Sequence, residues 1–352
     1  MARPDDPEYR RLLGEFVPLR IVNLKGIDLN LFRFDTDLTF AVLLMNADGY
    51  TYSRFGVQDH THTTDRMSLA GLKQAMRDVL VAHRAGDVDR EAIPDPAQRY
   101  TLLDLPAFAR SRQARDACYH CHFEGTARFR QLRRDGQFRK EMFFRYPYPE
   151  NLGITLEVDR NNVVKSVQPG SPAARAGIRA GDRIVRAGRT PIFTTADLQF
   201  ALDPVADPGS VTLTVQRDGR TLPPMTLSLS AGWRRYDVSW RASVASLPPI
   251  LGIWGRTLTD AERRQRGIAA DRLAILVTFL FPEPVWEPAR RGIRTGDVIV
   301  AIDGEEWPNL NLRQFHSTFR LKYNVGDRVR VTLLRGNQRI DTTVDCIDPD
   351  PG

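Results

Sequence analysis

Only three of the 352 residues are cysteine and six are histidine. One Cys-x-x-Cys pair exists, so a tetrahedral zinc site would need two of its ligands from scattered histidines, which makes zinc the weakest metal reading. Long apolar runs are also missing. The longest, Leu273 to Phe281, is too short to span a bilayer and suits a buried strand. Met1 to Arg11 is charged and has no apolar centre, so no signal peptide is read there and a cytoplasmic location stays open. No G-x-S-x-G elbow, H-E-x-x-H or G-x-x-x-x-G-K occurs, and the Ser111 and Asp116 neighbourhood has no histidine arranged for hydrolysis. From these absences the chain is not expected to be a protease, or an enzyme at all.

What is present is a sequence said twice. GIRAGDRIV, starting at Gly177, returns as GIRTGDVIV, starting at Gly292, and each copy follows a Leu-Gly-Ile triplet, Leu152-Gly153-Ile154 and Leu251-Gly252-Ile253. A repeat of this size implies two domains of one fold. In the first copy a β-rich Val163 to Val167 is broken by Pro169-Gly170-Ser171-Pro172, and Gly181-Asp182 turns into a strand at Arg183. Thr194 to Asp197 then reads as a helix cap, with Leu198, Ala201 and Leu202 at helical spacing. A hairpin turning at Asp218-Gly219 closes the unit. The second copy repeats the order with its helix around Leu312, Phe315 and Phe319 and its turn at Gly336-Asn337, but inserts Thr257 to Asp271.

This order resembles bacterial PDZ domains, over residues 150–232 and 249–347. The resemblance implies that the loop N–H groups hold a chain-end carboxylate while a strand edge pairs with the peptide. The first groove would use Leu152, Gly153, Ile154 and Thr155, faced by Leu198. The second would use Leu251, Gly252, Ile253 and Trp254, faced by Leu312 and Phe315, with His316 on the same helix as a surface or groove residue. The alternative is that these glycines only shape a small barrel whose groove is plugged from within.

Residues 1–90 read differently: a strand at Val17 to Val22, a buried strand at Thr39 to Met45, a turn at Asn46 to Gly49, a partner strand at Tyr50 to Phe55, and a helix over Ser68 to His83. A strand, a hairpin and a helix resemble the second half of a thioredoxin fold. The half that would carry the redox Cys-x-x-Cys is absent, and Leu38 stands where that family has its cis-proline.

Residues 91–149 read as a helical linker holding Cys118-Tyr119-His120-Cys121-His122, a C-x-x-C-H sequence. Two thiols one helical turn apart can form thioethers to haem vinyl groups, with the next histidine beneath the iron. Cys118, Cys121 and His122 are therefore the expected haem c ligands, His122 as the iron ligand, with Met142, His60, His62 and Met67 open as the sixth. A redox pair, half a zinc site completed by His120 or His122, and no cofactor are the competing readings. Cys346 reads as a buried thiol. The whole assembly resembles thioredoxin/PDZ proteins of planctomycete-type bacteria.

Basic residues number 50 against 43 acidic, with an excess around the cysteine motif from Arg110 to Arg145. Such a rim could steer an acidic redox partner; no aromatic-basic motif argues for nucleic acid. The fold expected is thus an α+β multidomain chain: a partial thioredoxin-like α/β domain, a helical C-x-x-C-H linker and two PDZ-like β-barrels. Two functions stand. One is an extracytoplasmic, periplasmic tandem-PDZ scaffold binding C-terminal or extended peptides and carrying one c-type haem for electron transfer. The other is a non-enzymatic PDZ adaptor whose Cys118 and Cys121 form a thiol–disulfide switch or stand idle.

Overall fold

The computed structural model describes residues 5–24, 26–59, 66–109, 120–282 and 284–349. Two compact units emerge, one of Met1–Gln131 with Glu141–Tyr236, the other of Leu132–Lys140 with Asp237–Gly352.

The first unit opens with helix α1 (Pro7–Leu13), then strands β1 (Val42–Met45) and β2 (Thr51–Phe55), and helix α2 (Leu69–Arg84). The hairpin closes on Asn46, whose side chain accepts from Tyr50 N at 2.8 Å. Ser68 caps α2 by accepting from Gly71 N at 2.9 Å, and Leu72, Ala75, Met76 and Val79 turn one face into a core with Tyr50, Tyr52 and Phe55.

The expected thioredoxin-like half is not built. Val17 to Val22 is no strand: Val17 and Leu19 are 87% and 82% exposed. Pro18 lacks the donor a ladder would need there. Only the last four residues of Thr39 to Met45 pair, and among the described residues β1 and β2 form a sheet of two strands alone. With no third strand there is no central sheet to carry a thioredoxin core.

After the short helix α3 (Pro106–Ala109) comes α4 (His122–Arg134). The first repeat follows: β3 (Ile154–Leu156), β4 (Val164–Val167), helix α5 (Pro172–Arg175), β5 (Arg183–Ala187), β6 (Thr190–Pro191), helix α6 (Thr195–Leu202), β7 (Gly209–Arg217), β8 (Arg220–Thr221) and β9 (Met225–Leu229). β3 pairs with β4; β5 and β9 both pair with β7. Leu152, Ile154, Ile184, Leu198, Leu213 and Leu227 fill the space between.

The second unit contains helix α7 (Ala242–Ala245), β10 (Ile253–Thr257), helix α8 (Asp260–Gln265), β11 (Ile275–Leu280), helix α9 (Glu287–Arg290), β12 (Val298–Ile302), helix α10 (Leu312–Lys322), β13 (Arg328–Arg335) and β14 (Gln338–Asp345). Here the sheet is continuous in the order β10-β11-β12-β13-β14, so β10 is an edge strand. Its core joins Ile253, Ile275, Ile299, Phe315, Phe319 and Val331. The insertion read from the sequence folds as α8, capped reciprocally by Thr259 and Glu262.

Candidate peptide-binding site

The two repeated turns are held by the same device. In the first, Asp182 accepts from Arg179 N at 2.9 Å and from Arg217 Nε and Nη2 at 2.7 and 2.8 Å, while Arg217 Nη2 also reaches Gly177 O at 2.9 Å. In the second, Asp297 accepts from Arg294 N at 2.7 Å and from Arg335 Nε and Nη2 at 2.7 and 2.8 Å, and Arg335 Nη2 reaches Gly292 O at 2.9 Å. Both carboxylates are 1% exposed, and the Arg217 guanidinium helps hold Asp182 below the ordinary carboxylate range against the opposing effect of burial. The two arginines were visible in the sequence, each closing the strand before its hairpin turn, but nothing there tied them to the glycine–aspartate turns.

Each Leu-Gly-Ile triplet leads into a strand with one edge unpaired. In the first repeat Gly153 sits at φ +81°, and a Cβ there would lie 2.1 Å from the Ser171 Cβ, so only glycine fits. Its N–H donates to Glu150 O at 2.9 Å, and its carbonyl accepts from Gln168 N at 2.8 Å. Strand alternation then turns the backbone groups of Ile154 and Leu156 away from β4. In the second repeat Gly252 O accepts from Phe281 N at 3.0 Å and Leu258 N donates to Ala274 O at 3.0 Å. The backbone of Ile253, Gly255 and Thr257 therefore faces away from β11. The Ile253 N–H donates to Leu251 O at 2.7 Å, a tight turn that an incoming carboxylate would have to displace.

The side chains around the two loops pack inward. Leu152, Ile154, Leu198, Leu251, Ile253, Leu312 and Phe315 are all buried in the two hydrophobic cores, and Thr155 is half-buried. What these loops can offer a ligand is their backbone. Trp254 is different: it is 54% exposed, opposite Phe279 at 49%.

The facing helices start from reciprocal caps, Thr194 with Asp197 and Asn311 with Gln314. Counted from those caps, Gln199 matches His316 and Asp203 matches Arg320. In the first unit Gln199 Nε2 donates to Tyr146 O and Tyr146 N donates to Asp203 Oδ1, both at 2.9 Å. In the second, Arg320 Nε donates to Leu247 O at 2.6 Å. Each groove helix is thus strapped by the segment that runs into its own loop. Their C-terminal carbonyls are met by cations, Arg234 on Leu202, Asp203 and Val205, and Lys140 on Leu321 and Tyr323. His316 is half-buried with no hydrogen-bond partner among the described residues; burial, aided by the Arg320 charge, pushes its pKa down to about 3.

The helix α6 is also gripped by the N-terminal hairpin. Asp197, fully buried, accepts from Ser53 Oγ and Arg54 N at 2.7 Å each and from Phe193 N and Thr194 N at 3.2 and 3.0 Å. The Arg54 guanidinium lies 3.5 Å over the Phe200 ring.

The cysteine motif does not make the haem site expected of it. Cys118, His60 and His62 lie outside the described residues. Cys121 sits in a turn ahead of α4 rather than within a helix, packed beside Leu24, Leu102, Phe108 and Ala127, where burial pushes its thiol pKa up. The His122 ring lies 4.8 Å from Phe123 and stacks with His120 at 5.7 Å. Burial, with His120 adding to it, pushes the His122 pKa down. The aromatic segment that was to line a porphyrin pocket is filled by protein. Phe143 meets Phe129 edge-on at 5.5 Å, Phe144 meets Tyr236 at 5.9 Å, and Tyr146 Oη donates to Phe34 O at 3.1 Å. Of the other foreseen ligands, Met67 accepts from Val57 N at 3.2 Å and Met142 is half-buried. Among the described residues no three metal-binding side chains come together.

Residues 163–217 match the PDZ domain family model. The chain is 30% identical over 191 residues to the periplasmic pH-dependent serine endoprotease DegQ of Escherichia coli, covering 53% of this chain and 37% of that protein. It is 28% identical over 187 residues to a probable periplasmic serine endoprotease, DegP-like, of Hahella chejuensis, covering 52% and 37%. A serine protease Do-like HtrA of Lactococcus lactis is 46% identical over 70 residues, 20% of this chain and 17% of that one. The chain therefore spans little more than a third of the first two relatives. A solved serine endoprotease from Yersinia pestis aligns over 23% of this chain and 28% of that one, 24% identical, with a TM-score of 0.20, too low to speak to a shared fold.

These relatives correct the reading from sequence. They are serine endoproteases, neither thioredoxin-like nor haem proteins, so the thioredoxin/PDZ family, the haem c on Cys118, Cys121 and His122, and the electron-transfer scaffold are all set aside. The expectation that the chain is no protease, and the non-enzymatic adaptor with its thiol switch, fall to the same finding. Peptide segments are the ordinary ligands of a PDZ module, while an acidic redox partner has no support. The first two relatives are named as periplasmic, and among the described residues no helix is long and apolar enough to cross a membrane.

Proposed function

We propose that the chain supplies the peptide-holding part of an HtrA-type serine endoprotease working in the periplasm. The observation that carries this reading is the pair of Leu-Gly-Ile loops, each running into a strand whose outer backbone edge is unpaired among the described residues. Strand addition needs such an edge, and the resemblance to endoproteases supplies the reaction the grip would serve. A substrate end enters as an extra strand beside β3 or β10, with its carboxylate at the Gly153 or Gly252 loop. Capture raises the local concentration of the rest of the substrate at the cleaving centre. Among the described residues no histidine hydrogen-bonds to a serine or a carboxylate, so the nucleophile is not assigned to a residue. The test is cleavage of an unfolded protein by the full natural protein, together with labelling by a serine-reactive fluorophosphonate. Cleavage that is stimulated by C-terminal peptides, and lost on labelling, is the expected result. Absence of both cleavage and labelling overturns the protease assignment, and absence of peptide binding overturns the grip.

A further inference from the structure

Where the N-terminal hairpin meets helix α6, the first unit leaves a cavity; with its mouth included, the open space is about 300 Å³. Phe34, Leu38, Phe55 and Phe200 make its walls apolar, and the small Ala196 leaves room on the α6 side. Arg54, on β2, is the cation among its lining residues, and its side chain is only 11% exposed. The Arg54 Nε donates to Arg33 O at 2.6 Å, and the guanidinium lies 3.5 Å over the Phe200 ring. Its two terminal nitrogens make no hydrogen bond among the described residues. Nη1 is 3.9 Å from Asp197 Oδ1, and that carboxylate already accepts from Ser53 Oγ and from the N–H groups of Arg54, Phe193 and Thr194. The other polar groups on the wall are turned elsewhere. Gln199 Nε2 donates to Tyr146 O, Tyr146 Oη donates to Phe34 O, and the charge of Asp35 acts on Arg145.

We propose that this cavity binds a small monocarboxylate with a short apolar tail, held by the terminal nitrogens of Arg54, and that its occupancy steadies the contact between β2 and α6. The proposal is independent of the peptide grip. A guanidinium this deeply buried is stabilised by a partner that meets both its charge and its N–H groups, and burial already lowers the Arg54 pKa from its ordinary value. Two N–H groups on one edge of a guanidinium match the two oxygens of a carboxylate, while its face stays on the aromatic ring. The mouth takes part of the open space, so the tail that fits between Phe34, Leu38 and Phe200 is short. A ligand bound between the hairpin and α6 stabilises the arrangement that forms its site.

The test uses the intact chain at fixed ionic strength, with propionate as the probe and propionamide and propylamine as isosteres of altered charge. Binding is read by ligand-observed NMR and placed by hydrogen exchange of β2 and α6. Expected is half-saturation by propionate at or below about 10 mM, slowed exchange in both segments, and binding of the amide and the amine weaker by at least about fivefold. Failure to half-saturate by that concentration overturns the site, and an isostere closer than that to propionate overturns the carboxylate assignment. Binding without slowed exchange in β2 and α6 overturns the placement. Arg54→Met, which keeps bulk over Phe200 but carries no charge, should weaken propionate by at least about fivefold, and a smaller change overturns the role given to the guanidinium. Ala196→Leu fills the cavity and leaves the guanidinium in place, so it should abolish binding. Propionate held as in the wild type by a folded Ala196→Leu protein overturns the proposal, even where Arg54→Met does not fold.

Discussion

Removing the Asp197 carboxylate should unlock the first repeat from the N-terminal hairpin. In Asp197→Ala the backbone N–H groups of Arg54, Phe193 and Thr194 and the Ser53 hydroxyl all lose an acceptor inside the protein. The Arg54 side chain, only 11% exposed, loses its counter-charge at 3.9 Å. Breaking a buried charge pair by deleting one partner costs about 3–5 kcal/mol, and losing a helix cap about 1 kcal/mol, with the two overlapping because they share one carboxylate. A loss of about 4 kcal/mol is therefore expected, a large share of the ~5–15 kcal/mol that holds a typical domain. With a urea slope of about 3 kcal/mol/M, the midpoint of the first transition should drop by about 1.3 M. Urea unfolding followed by fluorescence, with hydrogen exchange to locate the loss, measures it. Ser53→Ala should lose much less, since only one donor disappears and no charge is left stranded. A loss below about 1 kcal/mol in Asp197→Ala, or exchange that rises only outside β2 and α6, would refute the claim that this carboxylate joins the two parts.

Acid should act oppositely on the two units. Burial raises the Asp197 pKa from 3.8 to about 6, so its contribution is fully present below pH 3.8 and is lost as pH rises through 6; Asp197→Asn should flatten that slope in the first unit. His316 is depressed from 6.5 to about 3, so its contribution is present above pH 6.5 and lost as pH falls towards 3; His316→Gln should remove that acid sensitivity from the second unit, as read by urea midpoints across pH. Gly153→Ala places a Cβ 2.1 Å from Ser171 Cβ at φ +81°, so the first loop should shift and peptide-induced protection of residues 153–156 should vanish, whereas Gly170→Ala, with open space around it, should keep that protection. Burial raises the Cys121 thiol pKa, so iodoacetamide at pH 7 should label it more slowly than a free cysteine peptide; equal rates would show the turn before α4 to be open.

Local pattern carried the repeat, the turns and the helix caps. Gly177 and Gly292, the Gly-Asp turns, Ser68 ahead of α2 and Thr194 ahead of α6 are decided within a few residues by backbone sterics and side-chain capping, and a sequence displays such features directly. Register against a distant partner is not local. Val17 to Val22 has strand-like composition, but Pro18 and the lack of a neighbour left it as exposed coil, and the thioredoxin-like reading fell with it. Cys121 and His122 keep a spacing suited to haem, yet Cys121 packs beside Leu24, Leu102 and Phe108, and the aromatic segment expected to line a porphyrin pocket pairs with Phe129 and Tyr236 from other stretches of chain. The Leu-Gly-Ile triplets named where a chain end would meet backbone. Only packing decided that their side chains are core, that the helices facing them are strapped by their own lead-in segments, and that Arg263, an unremarkable residue in an insertion, is buried and reaches Asn309. Burial and long-range hydrogen bonding depend on which distant segments meet, and that is a property of the folded chain.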